Sequence, residues 1–398
     1  MKDPVVIVAV ARTPVGAMMG ELSGLAATDL GAAAIRAALE RSGLKPEQVQ
    51  EVIMGCVLPA GLGQAPARQA AIKAGLPIST GATTINKVCG SGMKAAMLGN
   101  DLILAGSQDI VVAGGMESMS NAPYLMLKGR SGYRYGHSTL FDHMAYDGLE
   151  DAYDKMPNGG GKSMGNFAED CAGKYEFSRE AQDKYAIESS RRARAANEDG
   201  SFKWEIAAVT VPGRKGDTVI DRDEAPFKIN PEKIPTLKAA FRKDGTVTAA
   251  SSSSISDGAA AMVLMRRSMA EKLGLKPIAT IAGHATHSQE PGWFTTAPVG
   301  AISKLYQKTG WNTGSVDLFE INEAFAVVAM AAMKEHDIPH DKVNIHGGAV
   351  ALGHPIGASG ARLIVTLLGA LKKTGGKRGI ATLCIGGGEA TALAVELA

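Results

Sequence analysis

A chain of 398 residues has room for two core-bearing domains or one large duplicated one. A hydrophobic fraction of 45% and a charged fraction of 21% exclude a disordered or low-complexity protein. The net charge of +2, with basic residues scattered and only short runs around Arg191–Arg192 and Lys372–Lys373, argues against nucleic acid as a partner.

The four cysteines (Cys56, Cys89, Cys171, Cys384) are far apart and form no C-x-x-C pair. In a chain of this size they read as free thiols in a reducing, cytoplasmic compartment. The opening M-K-D-P-V-V-I-V-A-V carries Pro4 and a β-branched run without a cleavage-site pattern, so it reads as a first strand and not as a signal peptide. No apolar run approaches the ~18 residues that a membrane span needs.

Taken in order, Val5 to Val10 predicts a buried strand, followed by a loop at Arg12-Thr13-Pro14. Thr28-Asp29 can cap a helix that runs to Ser42 and stops at Gly43. Val49 to Val57 is the next strand, then a P-A-G-L-G-Q loop and a helix from Pro66 to near Gly75. Ala82 to Ile85 leads as a strand into Cys89, a helix covers Met93 to Leu104, and Asp109 to Ala113 is a strand again. Such alternation predicts an α/β fold with a parallel sheet. From Met116 to Val247 the pattern changes to tyrosines, glycines, a P-N-G-G-G-K run (Pro157 to Lys162) and a polar helix at Arg179 to Asn197, as in a lid inserted over the core.

The later part echoes the earlier. Arg41 to Ile53 aligns with Lys308 to Glu320 at a constant offset that sets Gly43 on Gly310 and Gly90 on Gly357. A duplicated α/β half explains this. The expected division is residues 1–117 for the first half, completed by 248–275, then 118–247 for the inserted lid and 276–398 for the second half.

The segment K-V-C-G-S-G-M-K-A, Lys87 to Ala95, puts one cysteine at a strand-to-helix corner framed by glycines. Unpaired N–H groups and the helix dipole favour an anion at such an end, which predicts a depressed thiol pKa and a nucleophile. Three later stretches are candidates to converge on it. They are E-I-N-E-A-F-A, where a strand ends at Asn322, then G-G-A-V-A-L-G-H-P-I-G-A-S-G-A-R, with His354 just before a helix, and C-I-G-G-G, with Cys384 at the end of the last strand. His354 reads as a base and Cys384 as a second working thiol because its glycines permit close backbone approach. Cys56 and Cys171 read as structural thiols. His284-x-x-His287 lacks a third ligand in sight, so no metal is expected.

Together K-V-C-G-S-G-M-K-A, N-E-A-F, G-H-P-I-G-A-S-G-A-R and C-I-G-G-G resemble the signature set of the thiolase family, most closely its acetyl-CoA acetyltransferases. The resemblance spans essentially the whole chain, with A-R-T-P-V-G and M-G-N-F-A-E-D fitting as well. It implies a five-layered α-β-α-β-α core of two similar halves with an inserted loop domain. It also implies a reversible, ping-pong Claisen condensation of two acetyl-CoA to acetoacetyl-CoA and CoA, with no cofactor required. Carried over by the resemblance, Cys89 is acylated, His354 takes its proton, and Cys384 handles the α-proton. Asn322 joins His354 in one oxyanion hole, and the N–H groups of Cys89 and Gly386 form the other. For the CoA and acyl arms the resemblance points to Ser253, Ala249, Leu149, Leu237, Ala324, Phe325, Phe294 and Met164, and it implies a homo-oligomer, a tetramer before a dimer.

The chain departs from the family pattern at Ser163, at Ser251 and Ser252, and at Glu389-Ala390 after C-I-G-G-G. A broader-chain 3-ketoacyl-CoA thiolase is the nearer alternative. A β-ketoacyl synthase-type enzyme would share the fold but has no use for Cys384.

Overall fold

The computed structural model describes residues 3–155 and 160–398, so residues 157–159 of the glycine-rich run fall outside the described residues. Nine long strands carry the frame: β1 (Val5–Arg12), β2 (Glu51–Gly55), β3 (Gly81–Ile85), β4 (Ile110–Ser118), β5 (Ser256–Arg266), β6 (Ala279–Ser288), β7 (Leu318–Ile321), β8 (Arg378–Ile385) and β9 (Glu389–Leu397). They are hydrogen-bonded in the order β7-β8-β9-β6-β1-β5-β4-β2-β3, and the short pair Gly16–Ala17 adds to β5. The first half contributes β3-β2-β4-β5-β1 and the second β7-β8-β9-β6. Among the described residues the two meet edge to edge at Val6↔Thr280 and Ile7↔Ala279.

The sheet is mixed, which corrects the expected parallel one. Only β2 with β3 and β4, and β7 with β8, run parallel. Each half then adds antiparallel strands; β9, for example, follows β8 through a turn at Gly386–Gly388 too short for the crossover a parallel neighbour needs. Cys384 therefore ends the second-last strand, and the last strand is Glu389–Leu397.

Ten α-helices are described: α1 (Ala27–Ser42), α2 (Pro66–Lys73), α3 (Ser91–Ala105), α4 (Met164–Tyr175), α5 (Arg179–Glu198), α6 (Arg267–Lys272), α7 (Ala297–Thr309), α8 (Ala326–Glu335), α9 (Ala349–Leu352) and α10 (Ile356–Thr374). Helices α1 and α2 cover the outer face of the first sheet half through Leu30, Ile35, Ala67 and Ala70. Helices α7 and α8 cover the second through Ile302, Leu305 and Ala329. Between the halves lie α3 and α10, whose Met93, Met97, Leu363, Ile364 and Leu367 share one core with residues of both. The result is five layers, α-β-α-β-α. α10 is buried along nearly its whole length, as a helix with sheets on both sides must be.

Glycine sets how close α3 and α10 come. A Cβ at Gly92 would lie 2.8 Å from the Ala361 nitrogen, and one at Gly360 would lie 2.4 Å from the Met93 nitrogen. The echo in the sequence is visible in the caps too. Gly43 and Gly310 end α1 and α7 with the same left-handed φ of 71°. The start of α1 differs from expectation. Thr28 lies inside the first turn, Ala26 holds the cap position, and the Asp29 carboxylate accepts the Ala26 N–H at 3.2 Å.

Residues 118–247 supply α4, α5 and short hairpins over one end of the core. They are tied down by a fully buried Arg12, which donates to Glu205 at 2.5 Å and to Asp223 at 2.7 Å. Among the described residues no helix is long and apolar enough to cross a membrane.

Candidate active site

The connector from β3 to α3 holds Cys89. Ser91 pins it: its hydroxyl accepts the Lys87 N–H at 2.8 Å and donates to the Val88 carbonyl at 2.7 Å. Val88 is forced to a φ of 46°, a costly conformation for a β-branched residue. Gly90 caps α3 with the Ile385 side chain packed over it, 2.4 Å from where a Cβ would stand. Cys89 thus sits at the helix end, as expected, but its thiol is not depressed. Burial pushes it up to about 11, and the N–H groups of Gly386 and of Cys89 itself pull the other way without prevailing. The resting sulfur is a neutral thiol.

His354 comes from the other half, one residue before the Pro355 that caps α10. Its Nδ1 lies 2.5 Å from the Ser359 hydroxyl, which donates its only proton to the Pro355 carbonyl at 2.9 Å. Ser359 must therefore accept from Nδ1–H, which fixes the tautomer and leaves a lone pair on Nε2. The Asn322 side-chain amide points its Nδ2 at that nitrogen from 3.4 Å, at the end of β7. Burial, then the charge of Arg362, pushes His354 down to about 3, so the imidazole is neutral. Cys384 is fully buried, and its thiol is pushed well above the ordinary value by burial first and then by Cys89 nearby.

These groups surround a cavity of about 220 Å³. Of the expected residues, Cys89, His354, Cys384, Gly386, Leu149, Met164, Ser253, Phe294, Ala324 and Phe325 line it. Asn322 stands behind His354, fully buried, with its Oδ1 unpartnered among the described residues. Ala249 and Leu237 are exposed and outside the cavity lining. Met119, Phe241 and Ile255 add apolar wall outside the quoted motifs, and Ile356 adds to it from within G-H-P-I-G-A-S-G-A-R. Ser163, one of the departures, lines the cavity as well.

Sequence reasoning missed two residues that position the site. One is Ser359, five residues after His354 in a glycine-rich helix start. The other is Glu117, whose buried carboxylate accepts N–H groups from Val57 at 3.0 Å, Leu58 at 3.1 Å and Gly357 at 2.8 Å. It joins the end of β4 and the loop after β2 to the first turn of α10, and burial pushes it up to about 7. An acid in the otherwise apolar run I-V-V-A-G-G-M-E was its only signal. Cys56 lies buried 3.6 Å from Glu117, and Cys171 is buried in the core against α8. The pair His284 and His287 engages Asp101 and Gln289 respectively.

Comparison with known proteins agrees with this geometry. The family descriptions "Thiolase, N-terminal domain" and "Thiolase, C-terminal domain" match residues 5–268 and 275–397. Acetyl-CoA acetyltransferase 2 of Arabidopsis thaliana is 52% identical over 396 residues, 99% of this chain and 97% of that protein. Acetyl-CoA acetyltransferase of Cupriavidus necator is 50% identical over 394 residues, 98% of this chain and 99% of its own. The crystal structure of the Ascaris suum thiolase Acat5 in complex with coenzyme A superimposes with a TM-score of 0.92 at 43% identity, covering 99% of this chain and 100% of that one. With the fold, the two facing thiols and these full-length matches in agreement, the chain belongs to the thiolase family.

Proposed function

We propose that this chain is an acetyl-CoA C-acetyltransferase that condenses two acetyl-CoA molecules to acetoacetyl-CoA and CoA, reversibly and by a ping-pong route through acyl-Cys89. The observation that carries the reading is the meeting of Cys89, Cys384 and His354 around one apolar cavity, with Gly386 in the same wall. Names of relatives at about half identity over full length support the same activity.

In this reading His354 Nε2 takes the Cys89 proton as sulfur attacks the acetyl carbonyl. The C–S bond to CoA breaks, and the departing CoA sulfur takes the Cys384 proton. This leaves Cys384 as a thiolate, while His354 keeps the proton of Cys89. The N–H groups of Cys89 and Gly386 stabilise the oxyanion. The raised pKa of Cys384 makes its thiolate a strong base, as a weakly acidic α-proton requires. The enolate oxygen accepts a hydrogen bond from the proton-bearing His354 Nε2, with Asn322 beside it. The enolate carbon attacks acyl-Cys89, and the freed Cys89 sulfur takes its proton back from His354. An apolar cavity protects the acyl-enzyme from water. Ser253, Leu149, Met164, Phe294, Ala324 and Phe325 line the path of the acyl and pantetheine arms, with Ala249 and Leu237 further out toward the nucleotide end. The reaction uses CoA thioesters as substrates and needs no cofactor. The three-part division of the chain, a cytoplasmic location and assembly as a homo-oligomer, a tetramer before a dimer, belong to the same reading.

The experiment is thiolysis with free CoA across acetoacetyl-CoA, 2-methylacetoacetyl-CoA and longer 3-ketoacyl-CoAs. Turnover confined to the four-carbon chain, with or without its methyl branch, is the expected result. Comparable turnover of long chains moves the protein to the broader-chain class, and none at all overturns the reading.

A further inference from the structure

The departure at Glu389 has a partner. Its carboxylate ion-pairs with the Lys87 ammonium, and its second oxygen accepts the Ser288 hydroxyl at 3.0 Å. Lys87 belongs to the loop that carries Cys89. Glu389 stands directly across the β8–β9 pair from Ile385, one residue beyond the Gly386–Gly388 turn. The pair therefore bridges the Cys89 loop in one half of the molecule to the turn in the other half whose Gly386 lines the same cavity as Cys89.

That turn needs holding. Gly387 and Gly388 adopt left-handed φ values of 91° and 86°, and no side chain on the turn itself fixes it. It is pinned on one side by Ile385 over Gly90, and behind by the Gln289 N–H donating to the Gly388 carbonyl at 2.8 Å. The other side is closed by Lys87 and Glu389. Partial burial raises the Glu389 carboxyl, but the Lys87 ammonium and the Ser288 hydroxyl outweigh it and hold the group below its usual range.

We propose that Glu389, through its ion pair with Lys87, is a positioning residue that sets the Gly386 N–H at the distance from Cys89 that the oxyanion of acyl transfer requires. The proposal rests on the reading of Cys89 as the acylated residue. The pair is 22% and 31% exposed, so its effect is one of alignment and modest in size.

The test is the rate of Cys89 acetylation by acetyl-CoA, followed by rapid quench and intact mass. It is run on the full-length wild type, Glu389→Gln, Lys87→Met, the double variant and the charge exchange Lys87→Glu with Glu389→Lys. Each single variant is expected to slow acetylation ~5–20-fold with KM within about twofold, since a donor moved by a fraction of an ångström loses transition-state stabilisation and little binding. The double variant is expected to be no slower than either single one, and the exchanged pair to recover most of the rate. A single variant acetylated at the wild-type rate overturns the proposal. So does a double variant whose loss is the product of the two single losses, because the residues would then act independently. Absence of acetylation in the wild type itself would instead overturn the reading of Cys89.

Discussion

Ser359 matters to His354 because a hydroxyl has one proton to give. Spent on the Pro355 carbonyl, it leaves an acceptor for Nδ1–H and so turns the Nε2 lone pair toward Asn322 and the cavity. Ser359→Ala removes that choice between tautomers and is expected to lower kcat about 10–100-fold, part of what a general base supplies, with a normal melting temperature. Steady-state kinetics beside a thermal scan checks this. The thiol that His354 serves makes a second prediction. With Cys89 pushed up to about 11, the thiolate fraction of the free enzyme grows tenfold per pH unit through neutrality and beyond. Alkylation of Cys89 by iodoacetamide should therefore keep accelerating past pH 9, and a plateau near pH 8.5 would contradict it. Cys89→Ala should abolish acetyl-enzyme formation from acetyl-CoA, read by intact mass. That Cys89, His354 and Cys384 would meet was legible because glycine frames and residue order mark them. Ser359 was not, since a serine in a helix start serves many purposes and only the position of Pro355 O decides which. The depressed thiol pKa was misjudged because a helix end can be seen in a sequence and the burial that outweighs it cannot.

At the scale of elements, the contact between α3 and α10 brings Cys89 and His354 to one cavity. Met93 and Gly360 are equivalent positions of the two halves, and they touch each other, as elements related by a local two-fold must. Gly360→Ala would press a Cβ to 2.4 Å from the Met93 nitrogen, a backbone atom that cannot step aside. It is expected to cost about 1–3 kcal/mol in urea unfolding and to lower activity with it. Gly173→Ala in α4, where nothing lies within 4 Å, is the matched control and should be neutral or slightly stabilising. Most helices were readable from periodicity and glycine stops. The strand directions were not, because alternation of strand and helix looks the same whether the next strand pairs parallel or returns by a three-glycine turn.

Across the whole molecule, the inserted segment is joined to the core by charge as well as by apolar contact. Arg12 at the end of β1 is enclosed with Glu205 and Asp223; burial works to lower its pKa, and the two carboxylates outweigh it and raise it. Arg12→Met leaves both acids buried without a cation and is expected to cost about 3–5 kcal/mol, measured by chemical denaturation. A loss below 1 kcal/mol would mean that the segment is held by packing alone. The duplication has one more consequence. At the offset that sets Gly90 on Gly357, Cys89 falls on Ile356 and His354 falls on Lys87. Cys89 and His354, the proposed nucleophile and base, are thus two edits of a single corner, used once in each half and turned toward each other. Two identical copies of such a half would present like against like, sulfur to sulfur or imidazole to imidazole. Acyl transfer needs an unlike pair, and joining both copies in one chain is what lets each corner be rewritten without rewriting the other.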